Sequence, residues 1–298
     1  MRYSIVYVLA LTFFISSCKE KTNKTVDVSN KENPVFSGLK SALTLYASFD
    51  NGVDADFALG DPKLYTVNNR KAKDSAAVGL HKDGVSLVDG QGRYGNGLQY
   101  LDKTKGYIYY KSLNNIAYSK TDWSGSISFW LSLDPNTDLK PGYCDPIQIT
   151  DSGYNDAGLW VDFTKENPRD FRLGVIGDRT SWNPNPEGPD NENPLFIAQL
   201  IPVKNPPFAK GDWTHIVINF LNLNTKEGQA ELFINGTNVG SKSQIKDPFT
   251  WNVEQSNILL GLSYIGFMDD LSIFNRALSK DEVLELYNLK NGVAELIK

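Results

Sequence analysis

Tyr143, Tyr154, Trp160, Arg172, Asp178, Arg179 and Trp182 fall within one stretch of the chain, and a run rich in Pro, Asn and Glu over 183–194 follows them. Aromatic rings can cover the apolar C–H face of a sugar, while Asp, Asn and Arg hold its hydroxyls. The segment Asp178-Arg179-Thr180-Ser181-Trp182-Asn183 offers both kinds of group at the end of a predicted strand. Irregular segments this long on a rigid scaffold are uncommon unless they are functional or disordered. Each tryptophan has two readings. Trp182 either faces a ligand or pins the segment to the scaffold. Trp160 lies on the strand face opposite Leu159 and Val161, and either lines a groove or packs between layers. Trp123 and Trp251 fall near turns and are weaker candidates.

Other chemistries find less support. Glycosidases place two carboxyl groups roughly 5–10 Å apart across the scissile bond, and neither Trp160-Val161-Asp162 nor Asp269-Asp270 gives a same-face acidic pair. The chain has only two histidines, His81 and His215. His81 sits in a polar, solvent-facing loop. Cys144 has no histidine near it in sequence, and a packed side chain is expected there rather than a nucleophile. No Gly-rich phosphate loop precedes a helix. The net charge is −5 with scattered basic residues, which leaves no footprint for a nucleic-acid backbone. Aromatics make up 12% of the chain, including six Trp and fourteen Tyr. That suits sugar stacking and a sandwich core alike.

The positioning elements are mostly strands. Residues 43–49 alternate, with Leu43, Leu45, Ala47 and Phe49 on one face, and Asp50-Asn51-Gly52 turns the chain. Residues 63–67 and 84–88 read as short strands in a loop-rich region. In 125–133, Ile127, Phe129, Leu131 and Leu133 face one way, and Ser126, Ser128, Trp130 and Ser132 the other. Residues 158–163 and 171–176 read as a hairpin. Further strands are expected at 257–261 and 270–274. Ser279 and Glu282 have capping-box spacing ahead of a helix with Val283, Leu286 and Tyr287 on one stripe, and Asn291-Gly292 is the expected stop. Many strands with one terminal capped helix imply an all-β, antiparallel two-sheet sandwich.

Gly266-Phe267-Met268-Asp269-Asp270-Leu271-Ser272-Ile273-Phe274-Asn275-Arg276-Ala277-Leu278-Ser279 resembles the C-terminal signature of laminin-G-like, concanavalin A-like jelly-roll domains. Three more runs resemble strands of that family: Gly92-Arg93-Tyr94-Gly95-Asn96-Gly97-Leu98, the Trp213-Thr214-His215-Ile216 run, and Leu232-Phe233-Ile234-Asn235-Gly236. Leu101-Asp102-Lys103 departs from the family's usual F-D-G. The resemblance covers roughly 43–290 and implies a concanavalin A-like jelly roll, a fold that lectins, adhesins and enzymes share. It implies a packed, hydrogen-bonded structural role for His215. It also implies a structural Ca²⁺ held by Asp269 or Asp270 with Asp50, where turn-capping by the same carboxylates is the alternative. The E-x-D-x-x-E spacing of jelly-roll glucanases is absent.

At the N-terminus, Arg2 and an apolar run from Ile5 to Ile15 have the form of a signal peptide. Ile15-Ser16-Ser17-Cys18 resembles a bacterial lipobox, which implies lipidation of Cys18. Residues 1–17 are then the leader, 18–40 a flexible tether, and 41–292 the sandwich. The composite expectation is a non-catalytic polysaccharide- or oligosaccharide-binding protein of the bacterial envelope. It would touch the membrane through the lipid anchor alone, at the outer membrane and facing the surface. Candidate sugar contacts are Trp182, Arg179, Asp178, Trp160, Tyr154 and Arg172. A glycoside hydrolase or polysaccharide lyase of the same fold is the first rival; an adhesin or envelope scaffold that binds protein is the second.

Overall fold

Side chains on a strand point alternately to its two faces, so a sheet with two apolar faces must be covered twice. The computed structural model describes residues 34–69, 76–103, 106–151 and 156–297; Cys18, the leader and Tyr154 lie outside the described residues. Helix α1 (Pro34–Ala42) leads into β1 (Leu43–Ala47), β2 (Phe57–Ala58), β3 (Tyr65–Val67), β4 (Ala77–Val78), β5 (Val85–Val88) and β6 (Gly97–Tyr100). There follow β7 (Tyr107–Lys111), β8 (Trp123–Ser132), β9 (Cys144–Thr150), β10 (Gly158–Phe163) and β11 (Phe171–Ile176). An insertion with α2 (Arg179–Trp182) and α3 (Pro194–Ile197) precedes β12 (Ile201–Val203), β13 (Thr214–Leu223), β14 (Gly228–Ile234) and β15 (Thr237–Ile245). The chain closes with β16 (Asn257–Leu262), β17 (Gly266–Phe274), α4 (Lys280–Asn288) and α5 (Ala294–Ile297).

The first sheet runs β15-β14-β13-β8-β17-β1-β2, with β6 on β17 and β5 on β6; the second runs β12-β11-β10-β9-β16-β7-β3-β4. Their inner faces share one core. Ile127, Phe129 and Leu131 of β8 meet Ile147, Leu159, Val161 and Leu173 of the second sheet there. The outer face of the first sheet, with Tyr46, Val217, Phe233 and Phe274, packs against Leu39, Val283, Leu286 and Leu296 of the helices. Trp130 clusters with Tyr287 and His215, its ring centroid 5.8 and 4.8 Å from theirs, and those two lie 6.0 Å from each other. The Ser/Trp face of β8 is therefore buried under α4.

Strands 158–163 and 171–176 fall where alternation places them. Ser279 and Glu282 form the reciprocal cap of α4. Glu282 also binds Arg276 at 2.6 and 2.9 Å, and Arg276 donates to the carbonyl of Gly38.

Three expectations change. Residues 34–40, read as tether, belong to α1, where Val35, Leu39 and Ala42 form a stripe on the sandwich and Leu39 is fully buried. Helix α4 ends at Asn288, ahead of the expected Asn291-Gly292 stop. A bulge in β1 between Leu43 and Leu45 turns Leu43 away from Leu45 and toward the helices.

The helix at 34–42 is thus part of the folded unit. Leu39→Ala is expected to lower stability by about 2–5 kcal/mol in denaturant unfolding, as for other buried leucines. An unchanged midpoint would show that α1 is not docked.

Candidate functional site

Register brings one row of outward side chains across the second sheet. Trp160 pairs with Gly174 on one side and Gln148 on the other, Gln148 with Leu259, Leu259 with Tyr109, and Tyr109 with Tyr65. Leu159 and Val161 point into the core, so Trp160 must point outward. Gly174 leaves room for it: a Cβ there would lie 2.3 Å from the indole. The insertion after β11 folds over this end of the sheet, and Phe196 of α3 stacks on Trp160 at 5.9 Å and 15°.

Between sheet and insertion lies a cavity of about 170 Å³, lined by Tyr143, Gln148, Trp160, Arg172 and Phe196 together with Asp145, Asp162 and Asn191. Gln148 is only 4% exposed, and its Nε2 has no hydrogen-bond partner. A buried amide donor without an acceptor costs about 1–3 kcal/mol, so the sheet holds it against its own stability. Arg172 donates to Asp162 through Nε at 2.8 Å and through Nη2, and its guanidinium lies 5.0 Å from the Tyr143 ring centre. Burial pushes the Asp162 carboxyl up, and the bonds from Arg172 pull it back. Burial alone would lower Arg172, yet its bonds to Asp162 leave it above its ordinary value. The pair fills the wall of the cavity with matched charges.

The sequence candidates therefore divide. Trp160 and Arg172 share the cavity. Asp178 and Arg179 do not line it. Asp178 accepts from the amide and hydroxyl of Thr250. Arg179 lies 2.9 Å from buried Asp190, to which Asn183 also donates. These bonds fasten the insertion to itself and to the β15–β16 loop. Trp182 packs beside Phe196 and lines a different depression with Gln199 and Lys242. Gln148, Asp162, Asn191 and Phe196 were absent from the candidates. The signal for Gln148 is an amide side chain set between Ile147 and Ile149.

Asp50, Asp269 and Asp270 surround the Gly92–Gly97 turn and the C-terminal segment. Asp50 accepts the amide of Asn96 at 2.8 Å, and Asp269 those of Tyr94 and Asp270 at 2.9 and 2.8 Å. Asp270, at φ 51 on a bulge of β17, accepts from the Tyr46 hydroxyl and the Val293 amide. The donors answer these carboxylates as turn caps. Among the described residues no three His, Cys, Asp or Glu gather closely enough to hold a metal ion. His215 is buried, its Nε2 lies 2.8 Å from the Ser128 hydroxyl, and burial pushes its pKa down to about 3. Cys144 is buried and unpaired; His81 is exposed.

Residues 102–284 match the model of the concanavalin A-like lectin/glucanases superfamily, and the chain belongs to that family. The ligand binding domain of botulinum neurotoxin serotype D, in complex with N-acetylneuraminic acid, is 12% identical, with TM-score 0.53 over 85% of this chain and 52% of that one. The binding domain of Paraclostridial mosquitocidal protein 1 is 19% identical, with TM-score 0.52 over 84% and 52%. Domain 4 of a GH43 extracellular arabinanase from Geobacillus stearothermophilus, in complex with arabinotriose, is 19% identical, with TM-score 0.49 over 83% and 98%. At such identities the likeness shows the fold, and the chain spans about half the length of the two toxin domains. No curated protein matches the chain.

Burial, then the neighbouring Asp270 charge, pushes Asp269 up to about 8, and burial pushes Asp270 up to about 7. A carboxyl raised in the fold contributes stability that is complete below its unfolded pKa and is lost as pH rises through the folded value. His215 acts oppositely, but only as pH falls below its ordinary 6.5. Melting temperature is therefore expected to fall between pH 6.5 and about 8, and Asp269→Asn to flatten that fall. A wild-type profile flat over this window would show that the pair does not titrate there.

Proposed function

We propose that the chain is a non-catalytic carbohydrate-binding protein, and that a sugar ring occupies the cavity between the second sheet and its insertion. The unpaired Nε2 of buried Gln148 carries this reading. It is a donor held ready for a hydroxyl, beside the Trp160–Phe196 wall and the Asn191 amide. The cavity is smaller than the roughly 300–1,000 Å³ of most ligand pockets, which favours one ring or a chain end over a long segment. The neurotoxin D ligand binding domain, about half of which this chain matches, is in complex with N-acetylneuraminic acid, and that likeness supports a sugar as the ligand class.

Arg172 is neutralised by Asp162 and does not present a free charge to a uronate. His215 lies on the outer face of the first sheet, under α4, and neither it nor His81 lines the cavity. The lipobox-like segment ending at Cys18 supports a lipid anchor in the bacterial envelope, with the sandwich held outward at the outer membrane. Among the described residues no helix is long and apolar enough to cross a membrane.

Gln148→Leu separates binding from folding. On an array of neutral and acidic oligosaccharides, the wild type is expected to bind and the variant to lose at least about tenfold in affinity. Removing the orphaned donor is expected to raise the melting temperature by a few degrees at the same time. Undiminished binding by the variant would overturn the site. Release of reducing ends or unsaturated products would overturn the non-catalytic reading.

A further inference from the structure

A second depression of about 510 Å³ lies away from the Gln148 cavity, where three separate segments meet. The loop before β8 brings Lys120, the β13–β14 turn brings Lys226, and the segment after β15 brings Lys246. All three side chains are exposed. None makes an ion pair with a carboxylate of the described residues, and no Asp or Glu lines the depression. On a chain of net charge −5, such a cluster stands against the general balance.

Lysines often guard the edge of a sheet, and β15 is an edge strand. That accounts for Lys246 at most, since Lys120 and Lys226 come from other segments. The floor is aromatic and fixed. Tyr118 stacks on Trp251 at 5.9 Å and 25°, its hydroxyl donates to the Phe249 carbonyl at 2.7 Å, and the Trp251 indole donates to Ala157 at 2.8 Å. Tyr118 is half-buried, so part of its ring remains open. The depression meets the one beside Trp182 at Lys246, which lines both.

A ring with an apolar face and an anionic substituent fits these groups: the face on Tyr118, and the anion among ammonium groups that act as mobile point charges. We infer that this depression is a second binding site, for an acidic sugar of a carboxylated or sulfated polysaccharide, with its chain leading past Lys246 toward Trp182. The inference stands on its own residues and does not depend on the Gln148 cavity.

The test uses dextran sulfate and polygalacturonate as probes, with neutral dextran as the control, on the wild type, on Lys120→Gln/Lys226→Gln/Lys246→Gln, and on Gln148→Leu. Wild type is expected to bind at least one acidic probe at low salt, to bind it weakly at about 0.5 M salt, and to ignore dextran. The triple variant is expected to bind at least about tenfold more weakly, and Gln148→Leu to bind as wild type does. Binding of dextran sulfate alone assigns a sulfate ester, and of polygalacturonate alone a carboxylate; both support the site. Equal binding by wild type and the triple variant, or no binding to either acidic probe, overturns it. So does binding only to anionic phospholipid vesicles. A loss seen in Gln148→Leu instead would return the acidic sugar to the first cavity.

Discussion

Alternation along the strands is the constraint on which the whole molecule depends. Because Ile127, Phe129 and Leu131 enter the shared core, Ser126, Ser128 and Trp130 have no choice but to face outward. The same rule sends Leu159 and Val161 inward and Trp160 outward. Each sheet is therefore left with an outer face carrying large apolar groups, and each must find a cover. The chain supplies different covers on the two sides, and that difference separates scaffold from site.

On the first sheet the cover is complete. Helices α1, α4 and α5 bury Tyr46, Val217, Phe233 and Phe274, and most of the polar groups beneath them pair: Tyr46 with Asp270, Ser126 with Asn219, and Ser128 with His215 Nε2, while His215 Nδ1 and Ser272 Oγ do not. Arg276 ties the helices together through Glu282 and Gly38. On the second sheet the cover is the insertion after β11, fastened by Arg179, Asn183 and Asp190 and by Asp178 on the β15–β16 loop. It covers Trp160 but leaves a polar cavity in which one amide has nothing to bond. Other buried donors, such as Tyr100 Oη and the Trp123 and Trp182 indoles, also go without a partner, but among these orphans Gln148 Nε2 is the one that faces this cavity, where a ligand could reach it.

Much of this was legible in the residues. Clean alternation located β8, β10 and β11, and the Ser279/Glu282 spacing located α4, because both signals are local. Helix α1 was hidden by the charged run before it, which obscured a stripe of only Val35, Leu39 and Ala42. Strand β9 was hidden by Pro146, which argues against a strand, and β15 by a polar sequence suited to an edge. The site was half legible. Trp160 and Arg172 stood out by residue type, but Asp178, Arg179 and Trp182 were joined to them by nearness in sequence, and the insertion turns them to other partners. Gln148 and Phe196 meet Trp160 only through strand register and the return of the insertion, and neither relation is written locally.

The central claim is that a sugar takes the hydrogen bond that Gln148 lacks. Its most direct measurement is an NMR titration with a neutral oligosaccharide that follows the Gln148 side-chain amide protons and the indole N–H of each tryptophan. The account predicts that the Gln148 amide pair and the Trp160 indole shift together on saturation while those of Trp123 and Trp251 stay in place. A Gln148 amide that does not move while the Trp182 indole does would contradict it and move the ligand to the other side of the insertion.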